Sequence, residues 1–336
     1  MKILLTGGTG FLGRRIVSEL SGRHALRLLV RRGSSRERFP AGVEFAEGDV
    51  ADRVSLGPAL AGCDAVIHAA ALVKILAPRE QFDHINVGGL ENVLAAAEAA
   101  SSVEKMLYIS SFMALGPTDG GVLDESAEPR DRAWINDYER TKTLSDRAAR
   151  RAIATGAPLG VVYPGVIYGP GEMTEGNIVV RHILDLVHGR LPGLIGSPAR
   201  RWNYVYVDDV ARGVALALEA PTLGGPFGGR YVLGGENVTL GEFYRLIGQA
   251  TGARIPSLRI PDAIAKAAGA AQKAWAGLRG TTPQLTPDLV EIYKHDWAYS
   301  SAKAEKELGY HARPLAEGLT STIAWLRETG QMRKGN

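Results

Sequence analysis

The chain has 336 residues, 45% of them hydrophobic and 22% charged, with a net charge of +3 and one cysteine. That is enough chain and apolar content for one large α/β unit or two closely joined ones, and it excludes a disordered protein. The small positive balance, without a basic stripe interleaved with aromatics, gives no sign of nucleic-acid binding, and a lone cysteine excludes internal disulfides.

Met1 and Lys2 run straight into "ILLT", too short for a signal core, and no run of 18 apolar residues follows. A cytoplasmic protein without a transmembrane segment is therefore expected. "KILLTGGTGFLGRRIVSEL" reads as a buried parallel strand, a glycine loop and a helix over Phe11–Leu20. Gly7, Gly10 and Gly13 recur every third residue, and Gly8-x-Gly10-x-x-Gly13 also fits a dinucleotide-binding fingerprint. In such a loop the first glycine permits a tight turn, the middle ones admit a pyrophosphate, and the last lets helix pack on strand. The helix aims its positive end at the phosphates. Gly7, Thr9, Gly10, Phe11, Leu12 and Gly13 are the expected contacts.

The second strand, "ALRLLV", ends at Val30. An acidic residue commonly follows here to hold the ribose 2′-hydroxyl of NAD. This chain has "RRGSSR" instead. Arg31 and Arg32 suit a 2′-phosphate, with Ser34 and Ser35 as further donors, so NADP(H) is expected over NAD(H). The alternative is a solvated basic loop. A third strand, "VEFAEGDV", brings Asp49 and Val50, with Asp49 either an acceptor for the adenine amine or the cap of the next helix. Cys63 reads as a small buried residue. A fourth strand, "DAVIHAAA", ends in small side chains that let a cofactor lie close: His68, Ala69 and Ala70, with His68 equally readable as structural. The helix "NVGGLENVLAAAEAA" and the strand "KMLYIS" continue the alternation, which describes an α/β fold with a doubly wound parallel sheet.

Ser110 and Ser111 follow that fifth strand. Further on, "NDYERTKTL" places Tyr138 and Lys142 four residues apart, on one face of a helix. The spacing alone is a weak signal, and Tyr299 and Lys303 in "YSSAK" repeat it. The ordered set "TGGTGFLG", "GDV", "HAAA", "NVGG", the serine after strand five, "YERTK", "PGVIYGPG", "NYVYVDDVARG" and "RYVLGGENVTLGEF" is far more specific. Over nearly its whole length the chain resembles extended short-chain dehydrogenases/reductases of the NAD-dependent epimerase/dehydratase family. "WAYSSAKAEKELGYHARPLAEGL" is similar to the dihydroflavonol-4-reductase-like branch.

The resemblance implies a Rossmann-type domain over 1–169, with strands near 203–234 returning to it, and a mainly substrate-binding region over 170–336. It implies Ser111, Tyr138 and Lys142 as the catalytic set, with Tyr138 passing a proton, Ser111 positioning the substrate oxygen and Lys142 also holding the nicotinamide ribose. Tyr299 and Lys303 fall in a C-terminal structural motif. Asn86 matches a supporting asparagine, or else is a helix cap, and Pro164, Gly165 and Val166 should pass beside the nicotinamide. A lysine ammonium ~4 Å from the phenol would attract the phenolate by ~4 kcal/mol before desolvation, so a lowered tyrosine pKa is expected. Tyr168 fits either pocket or core.

On the substrate side, His182 and His188 read as surface or rim residues, no metal site is expected, and Asp208 and Asp209 read as caps of a helix. "PDAIAKAAGAAQKAWAGL" reads as an alanine-rich lid helix, with contact to a membrane surface as the alternative. Where sugar-nucleotide members carry an arginine ahead of "YVDD", this chain has Trp202, flanked by Arg200 and Arg201. Gly116 replaces an asparagine of plant flavonoid reductases. The expected activity is NADP(H)-dependent reduction of a ketone or aldehyde. The alternatives are a nucleotide-sugar epimerase or dehydratase retaining NAD, and a non-catalytic NADP-sensing module. A small-molecule partner and, by resemblance, a homodimer are expected.

Overall fold

The computed structural model describes residues 1–74, 76–128, 132–172, 176–221 and 229–332. The first half alternates strand and helix: β1 (Lys2–Thr6), α1 (Phe11–Leu20), β2 (Ala25–Val30), β3 (Glu44–Glu47), α2 (Arg53–Leu60) and β4 (Ala65–His68). Next come α3 (Arg79–Phe82), a π-helical turn over Asp83–Gly88, α4 (Gly89–Ala99), β5 (Lys105–Ile109), α5 (Asp137–Ala154) and β6 (Leu159–Pro164). The short β7 (Val166–Tyr168) leads to α6 (Ile178–Val187), β8 (Leu194–Ile195), β9 (Arg201–Tyr206), α7 (Val207–Glu219), β10 (Arg230–Leu233) and β11 (Glu236–Thr239). The chain continues through α8 (Leu240–Thr251), β12 (Arg259–Ile260), α9 (Asp262–Arg279), α10 (Pro287–Tyr293), α11 (Ala302–Leu308) and α12 (Leu315–Glu328).

Seven parallel strands form the main sheet in the order β10-β6-β5-β4-β1-β2-β3. Strand order reverses direction between β1 and β4, which leaves a crevice beyond their carboxyl ends. Both faces of the sheet are covered, so its central strands are buried on successive rather than alternate residues, while the edge strand β3 stays partly exposed. In β1, Leu4 enters the core beneath α2 and α4, whereas Ile3 and Leu5 enter the core beneath α1 and α7. That second core also takes Ala304 and Tyr310 from the far end of the chain.

Leaving β6, the chain switches sheets at Gly165, where an added Cβ would collide with Asn203 Oδ1. Strands β7, β9 and β11 make a separate three-stranded sheet, and β8 pairs with β12. Asp209 is not a helix cap: Tyr206 occupies that position of α7 without a side-chain bond. Its buried carboxylate instead takes Arg313 in a two-pronged pair, at 2.9 and 3.0 Å. Asp208 pairs with Arg15 at 3.3 Å. The cap of α2 is Asp52, which accepts from the Val54 amide, so Asp49 has no capping role. Tyr168 belongs to the core and donates to the Leu315 carbonyl, and Cys63 is fully buried. Among the described residues no helix is long and apolar enough to cross a membrane.

Candidate active site

One cavity of about 700 Å3 runs along the carboxyl ends of the strands. Its dinucleotide end is built by the glycine loop. Gly7 adopts φ +75, and a Cβ there would come within 2.6 Å of the Ala70 amide. A Cβ on Gly13 would collide with the Gly7 carbonyl. The chain can therefore press β1, α1 and the strip after β4 together only with glycine here. The helix α1 starts at Gly10 with no side-chain cap, so its first amides face the cavity without a protein acceptor. That cradle fits a pyrophosphate.

Thr9, Gly10, Phe11 and Leu12 line this end, with Asp49 and Val50 further along. Ala69, Ala70, Pro164, Gly165 and Val166 line the middle. Two expected contacts lie outside the wall. His68 is buried behind it, bonded to Thr6 Oγ1 at 2.8 Å and stacked on Tyr108, because β4 is still inside the sheet at that residue. Its burial holds the imidazole down at about pH 3, so it is neutral. Arg32 is exposed and does not line the cavity, to which the turn after β2 contributes Arg31 and Ser34. Arg31 is the one arginine in the described wall.

Ser111, Tyr138 and Lys142 converge on the middle of the cavity. Asn136 caps α5 by accepting from the Glu139 amide at 2.8 Å, which fixes where the helix begins and so where Tyr138 stands. Ser111 follows β5 and lies beside the phenol, whereas Ser110 faces Tyr108. The expected lowering of the tyrosine pKa is not what the geometry produces. Burial pushes Tyr138 up to about 12, partly offset by Ser111. Burial also pulls Lys142 down to about 7. The lysine nitrogen is 6.0 Å from the Tyr138 ring centre and bonds instead to the Ile109 carbonyl at 3.1 Å and the Tyr108 hydroxyl at 3.3 Å. Desolvation of both groups outweighs their mutual attraction.

Asn86 is not a helix cap. It sits in the π-helical turn, and its side chain accepts from the Leu72 amide at 2.6 Å while donating to the Leu72 carbonyl and to Thr141. It pins the loop after β4 to α5 and so sets one wall of the cavity. Tyr299 donates to the Gly116 carbonyl and Lys303 to the Arg230 carbonyl, so that pair holds structure.

The other end of the cavity is a chamber walled mostly by apolar side chains, Leu72, Val73, Leu76, Phe82, Ile85, Phe112, Trp202, Leu289 and Ile292, with Lys273, Thr286 and Asp288 on the α9–α10 side. Trp202 stacks on Tyr293 with ring centres 4.8 Å apart. The neighbouring Arg200 is paired with Asp296 and Arg201 with the Gly121 carbonyl. Neither lines the chamber. His182 is half-buried: it lies among Phe243, Tyr244 and Tyr293 and bonds to the Tyr293 hydroxyl at 2.9 Å, and burial holds it at about 4. His188 is exposed. No group of side chains suited to a metal ion occurs among the described residues. Tyr108 and the α10 face of Leu289 and Ile292 escape sequence reasoning. The spacing of three in the latter looks the same in any core helix.

The family described as NAD dependent epimerase/dehydratase matches residues 3–234. The chain is 29% identical to sterol demethylase protein B of Methylococcus capsulatus, over 99% of this chain and 100% of that one. It is 30% identical to 4-hydroxy-2-methyl-3-oxo-4-farnesyl-3,4-dihydroquinoline-1-oxide ketoreductase of Stigmatella aurantiaca, over 100% and 98%. The crystal structure of gox2253 matches with a TM-score of 0.80 at 34% identity, covering 98% of this chain and 99% of that one.

Proposed function

We propose, since the chain belongs to the NAD dependent epimerase/dehydratase family and is an NAD(P)-dependent oxidoreductase, that it uses NADP(H) to reduce the ketone or aldehyde of a largely apolar molecule. One observation carries this reading: the placement of charge along the cavity. The single arginine among its described lining residues stands beside the ribose end, and a mostly apolar chamber with Trp202 stands at the other, its charges there being Lys273 and Asp288, which face each other at 4.0 Å. Arg31 suits a 2′-phosphate. A nucleotide diphosphate would meet no guanidinium in the chamber. The names of the relatives, one for a sterol and one for a farnesylated ketone, agree with an apolar substrate.

When bound, the nicotinamide supplies the hydride. The chain's own groups hold the substrate oxygen and its proton. Ser111 donates to that oxygen and orients it. Tyr138, protonated at neutral pH because burial raises it, gives the proton. Lys142 would hold the ribose hydroxyls, with its nitrogen 6.0 Å from the ring centre of the phenol. Asn86 keeps the Leu72 loop against α5, so the carbonyl is presented in one orientation.

The test begins with the protein as isolated. Denaturation, mass identification of any released nucleotide, and titration with NADPH and NADH come first, followed by a screen of apolar ketones and aldehydes. Little retained nucleotide, tighter binding of NADPH and carbonyl-dependent oxidation of NADPH are expected. Tightly retained NAD would overturn the reading in favour of an epimerase or dehydratase. Cofactor binding without turnover of any carbonyl would favour a sensor.

A further inference from the structure

Of the nine large apolar side chains exposed among the described residues, four fall between Leu258 and Leu278. Three of them share one side of α9: Ile264 is 61% exposed, Trp275 57% and Leu278 84%. At about 100° per residue, Ala267, Ala268 and Ala271 fill the same arc between them, and no charged residue interrupts it. The opposite side packs inward through Ala265, Gly269 and Ala276. Gly269 lies so close to α10 that a Cβ would sit 2.8 Å from the Thr286 backbone. Lys273, half a turn round from Ile264, lines the cavity together with Thr286 and Asp288. The helix therefore covers the substrate chamber with one face and shows solvent an uninterrupted apolar stripe with the other.

The charge of the segment that carries the stripe is one-sided. From Arg254 to Arg279 there are five basic residues and one acid, Asp262. Glu291 and Asp288 answer Lys266 and Lys273 from α10. Arg254, Arg259 and Arg279 have no carboxylate partner among the described residues. The Arg279 guanidinium lies over the Trp275 ring at 4.2 Å, an indole and a cation side by side at the edge of the stripe.

We propose that α9 docks this protein on an anionic lipid bilayer, lying in the interface plane with Ile264, Trp275 and Leu278 among the acyl chains. The charge selects this occupant over a second copy of the chain. A second copy would bring the same excess of basic residues to the contact, whereas anionic headgroups complement it. Area points the same way. A stable dimer buries roughly 1,200–2,000 Å2 in total, more than one stripe of three large side chains and intervening alanines provides. The mouth of the chamber then opens at the membrane surface, where apolar ketones partition. The docking itself stands whether or not the cofactor reading does.

The test is co-sedimentation of the full chain with vesicles of phosphatidylcholine alone or mixed with phosphatidylglycerol. The wild type should sediment with the anionic vesicles and dissociate as salt rises. The Ile264→Ala/Trp275→Ala/Leu278→Ala variant keeps helix-forming residues, and it should lose roughly tenfold or more of the binding while NADPH affinity and thermal stability are retained. Arg254→Gln/Arg259→Gln/Arg279→Gln, all surface changes, should also weaken binding to anionic vesicles. Brominated lipid should quench Trp275, and Trp275→Phe should remove that quenching without removing binding. Equal binding of wild type and triple-alanine variant, or no binding of the wild type, would overturn the proposal. So would a dimer of the wild type that the triple-alanine variant dissolves.

Discussion

Lys142 reaches past Tyr138 to the strand behind it: its nitrogen is 3.1 Å from the Ile109 carbonyl and 3.3 Å from the Tyr108 hydroxyl. The lysine is thus anchored by β5, with its charge disfavoured by burial. Its pKa falls from 10.5 to about 7. The sign of the linkage follows. Between these values the unfolded chain binds a proton that the folded one does not, so stability rises with pH across that window. Below it the cost of burying the ammonium is fully present. Thermal denaturation of Lys142→Met and wild type should therefore give curves that converge as pH rises from about 7 toward about 10.5. Parallel curves would show that Lys142 is not desolvated.

Tyr138→Phe should lower carbonyl reduction by roughly 10²–10⁴-fold, the usual worth of a positioned proton donor, while the dissociation constant for NADPH changes little. Steady-state kinetics beside a fluorescence titration separates the two. A variant of near wild-type activity would remove Tyr138 from the reaction.

The pH dependence should differ between the two directions. A phenol held up to about 12 is in its donor form throughout neutral pH. Reduction should therefore be insensitive to Tyr138 ionisation across the neutral range. Alcohol oxidation needs the phenolate, and its kcat/KM should climb about tenfold per pH unit below the pKa. Initial rates measured in both directions over one buffer series check this.

Arg31→Ala should weaken NADPH binding by about 10- to 100-fold, as expected for loss of a charge-assisted hydrogen bond, and leave NADH binding nearly unchanged. Arg32→Ala should have little effect on either, because only Arg31 lines the cavity. Titration of both variants with both nucleotides decides between them. Equal effects of the two substitutions would mean that the basic turn acts only through bulk charge.

Asp209→Ala should cost about 3 kcal/mol of stability, since it strands the Arg313 guanidinium and removes a buried, two-pronged pair. Urea denaturation monitors it. A loss below about 1 kcal/mol would place the pair among surface ion pairs instead.

Much of this was legible in the sequence because local rules and the global fold agree there. The strand–glycine–helix start at Thr6 to Phe11 obeys turn chemistry, strand burial and helix polarity together, and Phe11–Leu20 is helical as expected. Ser111, Tyr138 and Lys142 reach one cavity because one strand end and one helix face bring them there. What stayed hidden depends on tertiary placement. Asn86 resembles a cap until the π-helical turn aims it at Leu72. Asp209 resembles a cap until Arg313 arrives from more than a hundred residues away. The direction of the Tyr138 shift depends on desolvation, to which the spacing of two residues is blind.

The core that holds Ile3 and Leu5 is completed by Ala304 and Tyr310. A ribosome must therefore have released almost the whole chain before the nucleotide half can close, although that half is translated first. The core behind the glycine loop waits for α11 and the turn after it, which are made late. Stalled or truncated chains should thus be poor at holding nucleotide and good substrates for chaperones and proteases.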